Sequence, residues 1–153
     1  MNSSARLRTI EINSSRYRAI KWTVEGFYFD SDSVVTAGIG LQGTNTGVAF
    51  YQNTAMSTTT RRVYLSNGTN QDALINYRMR GAGEALRKRN LSILLMPSTS
   101  YVYLMEDDQV MYYANLTGIL NNGILRGTFD LATNESASHY GRASQVRLEL
   151  WNN

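Results

Sequence analysis

Cysteine is absent from the 153 residues, so neither a disulfide framework nor a thiolate metal site can form. Proline occurs once, at Pro97, and histidine once, at His139. One histidine without cysteine would leave zinc almost wholly to carboxylates, which excludes the common zinc chemistries. Lysine is nearly missing: of fifteen cationic side chains only Lys21 and Lys88 are lysine, and the other thirteen are arginine. Long apolar runs are missing too. The longest run of large aliphatic residues is Ile93 to Met96, far short of a bilayer span. The opening stretch MNSSARLRTIEINSS is polar, so no signal peptide is expected. No membrane partner is expected either, and the expected habitat is a virion, or the cytoplasm before assembly.

What is present describes a globular chain. Hydrophobic residues make up 42% and charged residues 18%, with a formal net charge of +3. The length suits one domain over residues 1–153, with residues 1–15 as an N-terminal arm or a weakly patterned first strand.

Period-two alternation is the dominant signal. Near the end, Leu125, Gly127, Phe129 and Leu131 share one face, with Ile124, Arg126, Thr128 and Asp130 on the other. In Gln145 to Trp151, Val146, Leu148 and Leu150 oppose Gln145, Arg147 and Glu149. The polar stretch TNESASHYGRAS between them reads as a loop, and the two segments as an antiparallel pair closing a sheet. Earlier, Ile20, Trp22 and Val24 share a face, but Phe27 and Phe29 continue on the opposite parity, so Gly26 marks a bulge. Val35, Ala37, Ile39 and Leu41 form one face, and Gly38 and Gly40 lie on the other, where a backbone or ring could approach closely.

Further strands are expected over 48–52, 61–66, 91–96, 101–105 and 110–116, with Asn67-Gly68, Glu106 to Gln109 and Asn121-Asn122-Gly123 as turns. Gln71 to Asn90 fits a helix by its apolar stripe and a strand by its alternation. Gly81 and Gly83 weaken the helix, so the reading is a strand to about Arg80 and then one short helix around 84–89. The fold class is therefore mainly β, an antiparallel sandwich or barrel of about nine or ten strands.

The inventory for catalysis is thin, and no enzyme is expected. His139 lies in the loop 133–144, and nothing in the spacing of Asp130 or Glu135 makes a dyad of it. Asp30 with Asp32, and Glu106 with Asp107 and Asp108, are oxygen clusters on turns, but they fall short of the six to eight oxygens of calcium. No metal, cofactor or small-molecule ligand is expected. Six Asn-x-Ser/Thr sequons, at Asn2, Asn13, Asn67, Asn90, Asn115 and Asn134, read as chance in a chain rich in these residues.

Composition does point to association. Arginine, tyrosine and methionine are enriched at interfaces and lysine is depleted, and this chain has ten tyrosines and six methionines. The densest basic stretch holds Arg78, Arg80, Arg87, Lys88 and Arg89, with Arg61 and Arg62 near across a turn. The charge is low for nucleic acid, and no nucleic-acid signature appears. Pairing of this face with the acidic Glu106, Asp107 and Asp108 of another copy is the favoured use. The first expectation is thus a non-enzymatic structural subunit of a large assembly, such as a bacteriophage tail or capsid accessory protein, partnered by its own copies and other assembly proteins. The alternative is a lectin-like glycan-binding module, for which Trp22, Tyr28, Tyr51, Tyr101, Tyr103, Tyr112, Tyr113 and Trp151 are candidates. A calycin-like barrel enclosing an apolar ligand is third.

Overall fold

The computed structural model describes the backbone of residues 3–30, 35–43, 47–53, 60–66, 71–78, 88–115, 123–133 and 140–153, and the side chains of 7–27, 39–43, 88–115, 123–129 and 143–153. The strands are β1 (Ser3–Arg8), β2 (Ile12–Asn13), β3 (Tyr17–Asp30), β4 (Val35–Gln42), β5 (Gly47–Asn53), β6 (Thr60–Ser66), β7 (Gln71–Arg78), β8 (Arg89–Met96), β9 (Tyr101–Glu106), β10 (Gln109–Asn115), β11 (Ile124–Thr133), β12 (Tyr140–Arg142) and β13 (Gln145–Asn152). A single 3-10 turn, Ser14–Arg16, joins β2 to β3 and is capped by the Asn13 side chain, which accepts from the Ser15 amide.

These strands form two antiparallel sheets, a β-sandwich. The seven-stranded sheet runs β1-β11-β4-β5-β6-β7, with β2 continuing the β1 edge along β11. The six-stranded sheet runs β10-β9-β8-β3, and β13 and β12 share the far side of β3. Among the described residues no helix is long and apolar enough to cross a membrane.

The core lies between the sheets and follows from the alternation. Ile20, Trp22 and Val24 of β3 and Leu91, Ile93 and Leu95 of β8 face Ile39 and Leu41 of β4 and Leu125 and Phe129 of β11. Val102 and Leu104 of β9 complete it. Trp22 locks the two sheets together, because its indole Nε1 donates to the Thr128 carbonyl at 2.9 Å and its ring lies over Gly127, where no Cβ intervenes. Phe27 and Phe129 meet edge to face at 5.8 Å.

Gly26 is the expected bulge. The β3–β8 register shifts between Val24 and Phe27, Gly26 has φ +60°, and its amide donates to the Asn90 side chain at 2.9 Å. The extra residue moves Phe27 onto the buried face already held by Val24. Asp107 and Asp108 both have positive φ and close the two-residue β9–β10 hairpin as a type I′ turn requires.

Several expectations are corrected. The mainly β sandwich is as expected, and the described residues hold thirteen strands, two of them only two and three residues long, against the expected nine or ten or so. The two terminal segments taken as a closing pair lie in opposite sheets: β11 pairs with β1 and β4, whereas β13 pairs with β3. Alternation specifies which residues face the core but not which strand is the neighbour. The connection taken wholly as loop contains β12, which pairs with the outer end of β3. Residues expected as an arm or first strand are paired in the sheet as β1 and β2. The ambiguous segment is strand over Gln71–Arg78. Residues 84–87 of the expected short helix lie outside the described residues, and Arg89, at its end, opens β8. The interior is filled by side chains of two facing sheets, so the fold is not an enclosed barrel.

Candidate functional site

The outer face of the seven-stranded sheet is set by the same pleat that builds the core. With Leu125, Gly127 and Phe129 turned inward, Arg126 and Thr128 of β11 face outward, and with Ile39 and Leu41 inward, Gly40 and Gln42 of β4 do the same. The register places Arg126 opposite Gln42, and Thr128 between Gly40 on one side and Arg8 on the other. Gly40 offers no side chain, and both it and Thr128 are buried.

A cavity of about 460 Å³ opens there, lined by Arg8, Glu11, Gln42, Ile124, Arg126 and Thr128. That volume lies in the range of ordinary ligand sites. The β1–β2 connection forms one wall. Thr9 holds it in place, since its amide donates to the Gly127 carbonyl and its hydroxyl accepts from the Gly127 amide, each at 2.9 Å. This pinning brings Glu11 onto Arg126, and the two form an ion pair. Both partners stay substantially exposed, at 42% and 59%, so the pair is weak and its groups remain available to a ligand.

Thr128 is the exception in this polar ring. It is 1% exposed, and its Oγ1 has no hydrogen-bond partner within the protein. An unmatched buried hydroxyl costs about 1–3 kcal/mol. The Thr128 row continues in register through Gly40, Ala49 and Tyr64. The next row, two residues along each strand and so in phase with the first, holds Arg6, Asp130, Gly38, Tyr51, Arg62 and Asn76.

The six-stranded sheet presents a different outer face. Tyr101 and Tyr103 of β9 lie with ring centroids 6.4 Å apart, and Tyr103 and Tyr113 of β10 6.3 Å apart, in near-parallel array. Beside them on the edge strand, Val110, Met111 and Tyr113 are 53%, 41% and 62% exposed.

The residues singled out from sequence are placed as follows. Arg61, Arg62 and Arg78 stand on β6 and β7, where Arg61 is registered with Tyr77 and Thr60 with Arg78. Arg80 and Arg87 lie outside the described residues, as do Asp32 and His139, and Lys88 is exposed just before β8. Arg89 and Glu106 do not face outward toward a neighbour. They are in phase with the inward residues of β8 and β9, and Arg89 Nη1 donates to Glu106 Oε1 at 3.0 Å, with side chains 2% and 15% exposed. Asp107 is tied to β8, its carboxylate accepting from the Asn90 amide at 2.8 Å. Asp108 lies 3.4 Å from Lys21 Nζ and is 81% exposed. Much of the acidic tip is thus engaged within its own chain.

Of the aromatic candidates, Trp22 is core and Tyr112 packs against the core. Tyr101, Tyr103 and Tyr113 form the surface array, and Trp151 is half-buried on β13. Tyr28 and Tyr51 stand on β3 and β5, with their side chains outside the described set. Among the described residues no group of three or more His, Cys, Asp or Glu is arranged to hold a metal ion. Sequence reasoning missed the pocket. Nothing in the alternation of β4 marked Gln42 and Gly43, which line it there.

No protein-family model matches the chain, and no curated protein matches it. Solved structures do. The Emp46p carbohydrate recognition domain in its potassium-bound form aligns with TM-score 0.71 at 14% identity, covering 96% of this chain and 78% of that one. The CBM2 module of the evolved Dit of Lactobacillus casei BL23 phage J-1 aligns with TM-score 0.68 at 10% identity, covering 99% and 70%. A Bacillus licheniformis β-glucanase aligns with TM-score 0.66 at 11% identity, covering 94% and 70%. At these identities the likeness establishes the fold, a two-sheet β-sandwich found in carbohydrate-binding modules and in glycan-active enzymes alike.

Proposed function

We propose that the chain is a glycan-binding β-sandwich module that binds through the outer face of its seven-stranded sheet. The observation that carries this reading is the polar pocket of about 460 Å³ on this face, lined by Arg8, Glu11, Gln42, Gly43, Ile124, Arg126 and Thr128. Guanidinium, carboxylate, amide and hydroxyl groups converge there, and together they supply the donors and acceptors that sugar hydroxyls need. The adjoining register row, with Arg6, Asp130, Tyr51, Arg62 and Asn76, extends the same residue types along the sheet. The fold shared with a carbohydrate recognition domain and a CBM2 module supports it.

Binding without hydrolysis is favoured by the lining itself. Glycoside hydrolysis usually needs two carboxylates flanking the bond, and among the described lining residues Glu11 is the single carboxylate, already paired with Arg126. A glycan array probed with the wild-type chain and with Gln42→Ala tests the proposal. Saturable binding that falls at least about five-fold in Gln42→Ala supports it. Absence of saturable binding to any glycan overturns it.

A second reading has its own support. In it the module is a structural part of a larger assembly such as a phage tail. One of the similar structures comes from a phage Dit. In addition, β10, an edge strand with sequence QVMYYAN, carries no charge and no proline, the usual guards of an exposed edge. Its exposed Val110, Met111 and Tyr113 suit contact with another subunit. Mass measurement in solution over a concentration series tests this. A strict monomer that also fails to join purified assembly proteins refutes it.

A further inference from the structure

The charges around the pocket do not cancel. Among the described residues, two guanidiniums and one carboxylate line it. Glu11 is engaged with Arg126, whereas Arg8 is exposed and makes no ion pair or hydrogen bond among the described residues. Arg8 is registered directly opposite Thr128, and Thr128 opposite Gly40. Across these three strands, a span of about 10 Å, the row holds an exposed cation, a buried hydroxyl and a buried glycine in that order. The described lining holds no aromatic ring, the usual platform for the apolar face of a neutral sugar, and its one large apolar side chain is Ile124.

We infer that this pocket is a subsite for a carboxylate-bearing sugar, a uronic acid unit of an acidic glycan. The inference rests on the glycan-binding reading above and names its ligand class. The carboxylate pairs with the Arg8 guanidinium, whose planar fork matches two carboxylate oxygens. The sugar hydroxyls are read by Gln42 and the Glu11–Arg126 pair. A single unbalanced positive charge suits one carboxylate. A phosphate dianion or a densely sulfated sugar would meet Glu11 at the same mouth.

The test is isothermal titration of the full chain with oligomers of glucuronate, galacturonate, mannuronate and guluronate, each beside its carboxyl-reduced neutral counterpart and a sulfated glucose oligomer. At least one uronate oligomer is expected to bind about ten-fold or more tightly than its neutral counterpart, the size of one charge-assisted contact. Arg8→Gln should bring the uronate-to-neutral affinity ratio down to about one, and Arg8→Lys should restore part of it. Circular dichroism checks that the variants fold, and the wild-type uronate-to-neutral ratio decides the matter even if they do not. Equal binding of neutral and uronate oligomers, preference for the sulfated oligomer, or indifference to Arg8→Gln overturns the inference while leaving glycan binding standing. Failure of every oligomer, acidic and neutral, overturns this inference and counts against the glycan reading as well.

Discussion

Replacing Gly127 by alanine tests how the two sheets are held together. A Cβ at this position would stand 2.7 Å from Trp22 Cδ2 and 3.0 Å from Cε2 and Cε3, against about 3.5–4.0 Å for a comfortable carbon contact. The ring would have to withdraw by roughly 1 Å. It has little room, being 2% exposed within the core and tethered through Nε1 to the Thr128 carbonyl at 2.9 Å. Overpacking of this kind costs about 1–3 kcal/mol, and weakening the indole hydrogen bond adds about 1 kcal/mol. The stiffer unfolded chain of the alanine variant offsets roughly 0.4–1 kcal/mol. Gly127→Ala should therefore destabilise the protein by about 2 kcal/mol in urea unfolding followed by far-ultraviolet circular dichroism. Trp22→Val removes all three contacted ring atoms at a cost of about 3 kcal/mol. In that background Gly127→Ala should be neutral or slightly stabilising, giving a coupling of about 2 kcal/mol. An equal penalty in both backgrounds, or one below about 0.5 kcal/mol in the wild type, would refute the idea that the glycine exists to seat the indole.

Three further outcomes follow from the same geometry. Gly26→Ala forces a side chain into φ +60° and against Ser144, so calorimetry should show a loss of about 2 kcal/mol, partly recovered with Ser144→Gly. Arg89→Met strips Glu106 of its buried guanidinium and should cost about 3–5 kcal/mol, whereas Arg89→Met with Glu106→Leu should recover most of it; a double variant as unstable as the single one would contradict this. Lys21→Ala should leave the urea midpoint within about 0.5 kcal/mol of wild type, because Asp108 is 81% exposed and its attraction is screened by water.

The local grammar of the chain was largely legible. Alternation in 20–24, 39–41 and 125–129 names the apolar residues of the core, the apolar run 91–96 reads as a buried-type strand, and Gly26 announces its bulge through the change of parity at Phe27. The Glu106 to Gln109 hairpin was readable from its turn chemistry. Arg89 and Glu106 show the limit. In sequence they look like surface charges, yet their parity with Leu91 and Leu104 carries them inward, where each compensates the other.

The sequence alone determined the all-strand character and which side chains turn inward, because a pleated strand points successive residues to opposite faces whatever its neighbour is. Which strands lie side by side is a choice made by long-range pairing, and it put β11 and β13 in different sheets although they follow one another in the chain. The pocket belongs to that second kind of information. Arg8, Gln42 and Arg126 are far apart in sequence, and only the register of β1, β11 and β4 brings two cations and an amide onto one face.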